Sequence, residues 1–288
     1  AAKLEYNRTS PLAAGPEWLP TFTATGGVSI INTGIVTSNS AKVFNSSVPL
    51  TVANDSGGGL DNGGFAISGA SVFTLANDAN LYLSGTSTFP SGFTTNTIGA
   101  TSTVEYNGTA QTVAVQNYGN LNLSNSGNKT FAGATLIADE LALSGTAVAI
   151  LPTGSTSFSQ TLTFNGTLQL SGSWGGTAAT TATNKSALWF GTTTTGILNV
   201  NLACAIGTWL GQITTDWSDP NNWCSLTIPS ASTNVVIPAT APYLPVIGTA
   251  NGDCRNITIA SLSSLTINPS RTLTVTGNWV NNGTLSSS

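Results

Sequence analysis

Apolar residues in this chain recur at every second position, in short runs separated by Ser, Thr, Asn and Gly. Val28-Ser-Ile30, Leu81-Tyr-Leu83, Leu121-Asn-Leu123, Leu141-Ala-Leu143, Leu168-Gln-Leu170, Leu265-Thr-Ile267 and Leu273-Thr-Val275 each place two apolar side chains on one face of an extended segment. Most are followed closely by Gly, Asn, Ser or Pro, which end strands and turn corners. No long apolar stripe with the i, i+3, i+4, i+7 spacing of a helix is present, so the pattern predicts an all-β chain.

The runs also resemble one another. Phe65-Ala-Ile67-Ser-Gly, Leu81-Tyr-Leu83-Ser-Gly, Leu141-Ala-Leu143-Ser-Gly and Leu168-Gln-Leu170-Ser-Gly share one form, with looser copies at Val104-Glu-Tyr106-Asn-Gly and Leu121-Asn-Leu123-Ser. Their starts lie about 20 residues apart. A longer repeat relates Leu4-Glu-Tyr6-Asn7 to Val104-Glu-Tyr106-Asn107 at an offset of 100, and each copy leads to an aromatic, Trp18 or Tyr118. A unit of about 20 residues made of short strands cannot bury a core alone, but stacked units can. The expected architecture is therefore a right-handed parallel β-solenoid with rungs of about 20 residues. Inward Leu, Ile and Val would form columns, outward Ser, Thr and Asn would form ladders, and Gly or Asn would occupy the corners. The uneven spacing leaves tandem β-sandwich domains as the structural alternative.

A change in composition near residue 204 divides the chain into a solenoid region, 1–203, and a second β module, 204–288. The second opens on Gly207-Thr-Trp209, Asp216-Trp217 and Asn221-Asn-Trp223-Cys224, read as a cap over a new stack, and continues through Pro229, Pro238, Pro242 and Pro245. Strands resume at Val235-Val-Ile237, and apolar positions then fall at 257, 265 and 273, as if each face of a rung were a bare strand and turn.

Charge and composition narrow the chemistry. Charged residues are 6% of the chain, the net charge is −4, and there is no His. Histidine triads and histidine metal sites are excluded. Seven basic residues over the whole length make nucleic acid an unsuitable partner. No apolar run approaches the ~20 residues of a membrane-spanning helix. The opening AAKLEYNRTS has neither a basic nor an apolar leader segment and reads as a processed start or an internal one. This weakly charged, Thr- and Asn-rich composition fits an extracellular surface. There a disulfide between Cys224 and Cys254 is expected, leaving Cys204 odd, with three buried thiols as the alternative.

The segments Gly207-Thr-Trp209, Asp216-Trp217, Asn221-Asn-Trp223-Cys224, Ile228-Pro229, Val235-Val-Ile237-Pro238, Pro245-Val-Ile247 and Cys254-Arg-Asn256-Ile-Thr-Ile259 resemble those of secreted cell-surface repeat proteins of the Bacteroidota, which are exported by type IX secretion and often adhesin-like. Glu105-Tyr106-Asn107-Gly108-Thr109 and Tyr118-Gly119-Asn120-Leu121 resemble repeats of the same proteins. The resemblance implies export, extended extracellular architecture and surface attachment. The Trp-rich opening lies near the end of this chain rather than at its start, and no type IX sorting domain is visible.

Candidate chemistry is sparse, and no enzymatic activity or cofactor is expected. The carboxylates form no facing pair of the kind a glycosidase needs. Asp216 and Asp219 are a weak Ca²⁺ candidate whose plainer reading is a turn before Pro220. Trp209, Trp217 and Trp223 are candidates for a sugar-stacking platform or, alternatively, for core. Leu4 and Tyr6 at one end, and Trp279, Val280 and Leu285 at the other, are read as unpaired solenoid edges that join copies of the chain head to tail. The expected function is an extracellular structural subunit or segment of a surface fibre or stalk, with a glycan-binding adhesin module as the alternative and a polysaccharide-active enzyme last.

Overall fold

The computed structural model describes residues 2–53, 57–200, 206–211, 214–224, 227–239, 241 and 243–287. The chain forms two compact units, Ala1–Leu202 and Ala203–Ser288. It is a parallel β-solenoid with about 12 turns in all. Neighbouring strands of successive rungs pair in parallel, which removes the antiparallel sandwich alternative.

In the first unit each early rung contributes one strand to each of three sheets. The first sheet stacks Leu4–Asn7, Val28–Ile31, Leu50–Ala53, Val72–Leu75 and Thr95–Ile98. The second begins with Leu12–Ala13, Ile35–Thr37, Gly59–Asp61 and Asn80–Leu83 and continues through Thr103–Tyr106, Asn120–Leu123, Leu136–Leu143 and Thr156–Phe164. The third stacks Thr21–Phe22, Lys42–Phe44 and Ile67–Gly69.

The period-two pattern creates the core directly. On the second sheet Val36, Leu60, Leu81, Val104, Leu121, Leu141 and Leu162 pair in register from rung to rung, and every one is fully buried. Each such side chain stabilises the fold by about 2 kcal/mol relative to exposure. Corners need left-handed backbone, and Asn32, Asn125, Gly85 and Gly145 supply it.

Rung length then changes. Leu81 pairs with Val104, 23 residues on, but Val104 pairs with Leu121, only 17 on. At this step the first sheet stops, and a new one forms from Gln111–Val113, Ser126–Phe131 and Thr146–Ile150.

Two expected repeats have a different structural meaning. Leu168-Gln-Leu170 is not a rung: Thr167–Leu168 folds back antiparallel on Thr156–Phe164, and both leucines are exposed. With the antiparallel pair Gly172–Gly175 and Ile197–Val200 and the short helix Ala187–Phe190, it closes the later end of the unit. Phe164, Trp174, Trp189 and Phe190 pack together there. The offset-of-100 repeat places Leu4–Asn7 in the first sheet but Thr103–Tyr106 in the second. What recurs is local. Each tyrosine packs on the aromatic 12 residues later, Tyr6 on Trp18 at 5.6 Å between ring centroids and Tyr106 on Tyr118 through hydroxyls 3.0 Å apart.

In the second unit the same logic applies. Asn234–Ile237, Asn256–Ile259 and Trp279–Asn281 form one parallel sheet. Val246–Ile247, Ser264–Ile267 and Thr284–Ser287 form another, and Gly252–Cys254 with Leu273–Val275 a third. Positions 257, 265 and 273 thus belong to three faces of one turn.

Candidate functional site

The Trp-rich opening of the second unit is built on the first strand of each face. Thr208 bridges Val236 and Asp216 bridges Val246, both in parallel, so Trp209 and Trp217 follow the register of the stack. The 3₁₀ turn Pro220–Asn222 brings the chain back, and Trp223 faces Trp209 in an antiparallel bridge. The indole of Trp223 makes edge-on contacts with both others, at centroid distances of 4.9 Å to Trp209 and 4.6 Å to Trp217. Nε1 of Trp209 donates to the Tyr243 carbonyl, and Nε1 of Trp223 to the Trp217 carbonyl, both at 2.7 Å. All three indoles are fully buried. The expectation of a sugar-stacking platform is therefore corrected: these rings present no face to solvent and instead fill the start of the stack.

The carboxylates are equally committed to structure. Asp216 accepts hydrogen bonds from the Thr249 hydroxyl and the Ser218 N–H, at 2.8 and 2.9 Å. The Asp219 N–H donates to the Asp216 carbonyl, and its own carbonyl accepts from Asn222. This is the turn reading of Asp216 and Asp219, and it does not support the calcium candidate. Among the described residues no group of three or more His, Cys, Asp or Glu side chains converges. Glu105 and Glu140, on the second sheet, accept from Ser124 and Thr163, each on the next rung.

The expected Cys224–Cys254 bridge is not formed. Cys254 is a free thiol. Its strand places it in register with Val275, and it belongs to the apolar core of the unit with Ile257 and Ile259. An inward column position explains its burial. Burial, reinforced by the nearby Asp253 carboxylate, pushes the thiol up to about 11. Cys224 is buried as well, and Cys204 lies outside the described residues.

The residues read as assembly edges differ from one another. Leu4 is partly buried against the core, and Tyr6 is buried, its hydroxyl donating to Glu17 at 2.8 Å, so Tyr6 offers no contact surface. The last described rung is open. Trp279 continues the column of Val235 and Ile257, and Leu285 pairs with Leu265, yet they are 40% and 45% exposed where Ile257 and Leu265 are fully buried. Val280, beside Trp279 and pointing outward, is 44% exposed.

Two buried lysines carry chemistry that the sequence reading missed. Lys42 donates to the Trp18 carbonyl at 2.5 Å, to Asn39 Oδ1 at 2.6 Å and to the Ser40 hydroxyl at 3.1 Å, and it lies over the Trp18 ring. Lys129 donates to the Gly108 carbonyl and to Gln111 Oε1, at 2.5 and 2.9 Å. Gln111 in turn donates to the carbonyls of Leu83 and Ser87, tying three rungs together. Burial lowers both lysines, Lys129 to about 8, while nearby Glu17 and Glu105 oppose the shift for Lys42 and Lys129 respectively. The signal lay in Lys42-Val-Phe44 and Lys129-Thr-Phe131, where each lysine is in phase with an inward Phe.

Two shallow grooves are lined entirely by described residues. One of about 320 Å³ is lined by Asn96, Thr97, Ile98, Gln116 and Asn117, where the first sheet stops. Another of about 420 Å³ lies among Gly154, Ser155, Thr156, Thr180, Thr181, Thr195 and Ile197. Neither contains a charged side chain.

Fold and surfaces together define a repeat protein of the parallel β-solenoid class. Within the second unit, residues 208–287 match the model of a domain of unknown function, DUF8693. No curated protein and no solved structure matches the chain.

Proposed function

We propose that this chain is an extracellular structural protein, a subunit or segment of a cell-surface fibre or stalk whose solenoids join end to end, similar to the secreted surface repeat proteins of the Bacteroidota. The observation that carries the reading is the last described rung of the second unit. Its inward Trp279 and Leu285 occupy core columns but remain 40% and 45% exposed, and among the described residues no further strand pairs with its outer edge. Such an edge is a template for another parallel rung, and a head-to-tail contact of this kind propagates rather than closes. The partner is a second copy, whose three-stranded rung has a similar circumference: Leu4 to Val28 spans 24 residues, Val235 to Ile257 spans 22. Asn256 donates its side-chain amide to Asn234 Oδ1 and accepts at its own Oδ1 from the Asn278 backbone N–H, so this ladder continues to the same edge.

The burial of Trp209, Trp217 and Trp223 removes the feature that favoured a glycan-binding module, and the structural reading takes precedence. Negative-stain microscopy and sedimentation over a concentration series test it. Filaments or end-to-end oligomers are expected for the wild type and not for the double variant Trp279→Ser, Leu285→Ser. A wild type that stays monomeric at high concentration refutes the reading.

A further inference from the structure

We propose that Asn165 is a site of spontaneous covalent modification: in the folded protein its side-chain amide is lost to attack by the backbone nitrogen of Gly166, giving a succinimide that water opens to aspartate or isoaspartate. The reaction needs only the chain and water. The Gly166 nitrogen gives up its proton and bonds to Asn165 Cγ. The Cγ–Nδ2 bond breaks, and ammonia leaves carrying that proton. Water then adds to one of the two ring carbonyls. Opening at Cγ restores the ordinary backbone with an aspartate, and opening at the Asn165 backbone carbonyl leaves isoaspartate, with one more methylene in the main chain.

The sequence holds five Asn-Gly pairs, beginning at Asn62, Asn107, Asn165, Asn251 and Asn282. Glycine has no Cβ to shield the attacking nitrogen, so each pair is a chemical candidate. The fold restrains four of them. The Gly63 N–H donates to Asp61 Oδ1 and the Gly108 N–H to Gln111 Oε1, both at 2.8 Å. The Gly252 N–H donates to the Thr272 carbonyl at 2.9 Å, and the Gly283 N–H to Asn281 Oδ1 at 3.0 Å. These four glycines are also wedged into the stack: a Cβ on them would lie 3.0 Å or less from Ser38, Gly85, Trp217 and Ser263 respectively.

At Asn165 both restraints are missing. Asn165 and Gly166, with φ of 46° and 75°, form the two-residue loop between Thr156–Phe164 and Thr167–Leu168. Phe164 pairs with Thr167 across the hairpin, and among the described residues nothing accepts from the Gly166 N–H. Residues 165–168 are exposed, and nothing lies within 4 Å of a Cβ built on Gly166. Attack requires the turn to open so that the nitrogen swings toward Cγ, and opening costs least at an exposed tip with few contacts. The electrophile is meanwhile held in place. The Gly145 N–H donates to Asn165 Oδ1 at 3.0 Å, so the oxygen that gains negative charge as the nitrogen adds already has a donor. The product puts a carboxylate on the hairpin that closes the later end of the first unit.

The test follows all five pairs in one sample. The full chain is incubated in mildly alkaline buffer, either folded or in guanidinium chloride, and amide loss at each Asn-Gly pair is read by peptide mass mapping. Hydroxylamine, which cleaves a succinimide, reports the intermediate as a cut between Asn165 and Gly166. In denaturant the five sites should react at similar rates. In the folded chain Asn165 should keep its denatured rate to within about ten-fold, while the other four slow by about a hundred-fold or more. Asn165→Gln, which would have to close a larger ring, should abolish both the early amide loss and the hydroxylamine cut at this position. Asn165 slowed by folding as much as the other four overturns the proposal, as does another Asn-Gly pair reacting first in the folded chain.

Discussion

The indole N–H of Trp223 donates to the backbone carbonyl of Trp217 at 2.7 Å while its ring meets the Trp217 ring edge-on at 4.6 Å. One side chain thus fixes the return of the chain and joins Trp209 and Trp217 within the apolar cluster that also holds Val235 and Ile257. Truncation to Ala removes a buried aromatic touching two others and leaves the Trp217 carbonyl without this donor. Trp223→Ala should destabilise the second unit by about 3–5 kcal/mol, whereas Trp223→Phe, which keeps most of the ring, should cost about 1–3 kcal/mol. Urea denaturation followed by backbone circular dichroism should show an early transition belonging to the second unit. A variant as stable as the wild type would mean that the Trp cluster is dispensable.

Lys129 gives a pH dependence of definite sign. Its folded-state pKa is lowered to about 8 from 10.5, chiefly by burial, so between those values the unfolded chain binds more protons than the folded one. Its contribution to stability is therefore largest above pH 10.5, falls as the pH drops from 10.5 to about 8, and is smallest below that. Lys129→Met removes this contribution. The difference in urea midpoint between wild type and variant should shift in favour of the wild type as pH rises across the window. Comparing the two proteins cancels the tyrosines and exposed lysines that titrate in the same range. A difference independent of pH would show that Lys129 titrates normally.

The period-two runs made the fold legible, because in a stacked rung the inward residue of each run is also the column residue. Leu81, Val104, Leu121 and Leu141 are in register, as their shared form implies. Leu168-Gln-Leu170 carries the same pattern but lies where Thr167–Leu168 turns back, and alternation alone does not distinguish a parallel rung from an antiparallel edge. The Trp cluster was legible as a cap, but its burial was not, since aromatic residues suit both core and platform. Cysteine positions gave a pairing without a geometry, and Cys254 occupies a column instead. The stopping of the first sheet left only a shortened spacing in the sequence, within the unevenness of the other gaps.

Close stacking of rungs also makes certain glycines irreplaceable for reasons other than backbone conformation. A Cβ on Gly108 would lie 1.7 Å from the Gly85 carbonyl oxygen on the preceding rung. The clash is with backbone, and relief requires separating two rungs that also share the Gln111 and Lys129 network. Gly108→Ala should destabilise the first unit by more than about 3 kcal/mol. Gly154 has φ +72 with nothing near its Cβ position. Gly154→Ala should therefore cost only the left-handed conformation, about 1–2 kcal/mol. Thermal melts of the two variants should separate widely, and equal melting temperatures would contradict the stacking seen at Gly108.

Cys254 provides a check on the second unit's interior. Its thiol is fully buried in the apolar cluster, and its pKa is raised to about 11, so at neutral pH almost no thiolate forms and no reagent reaches it. Pulse alkylation of the native protein near pH 8, followed by peptide mass mapping, should leave Cys254 unmodified. Brief exposure to denaturant should label it, because the unfolded thiol is both accessible and closer to the ordinary pKa of about 8.5. The protection should collapse in Trp223→Ala if the Trp cluster and the Cys254 strand, which share one apolar core, unfold together. Rapid labelling of native wild-type Cys254 would show that this face of the solenoid opens readily. Protection unchanged in Trp223→Ala would show that the core around Cys254 holds without Trp223.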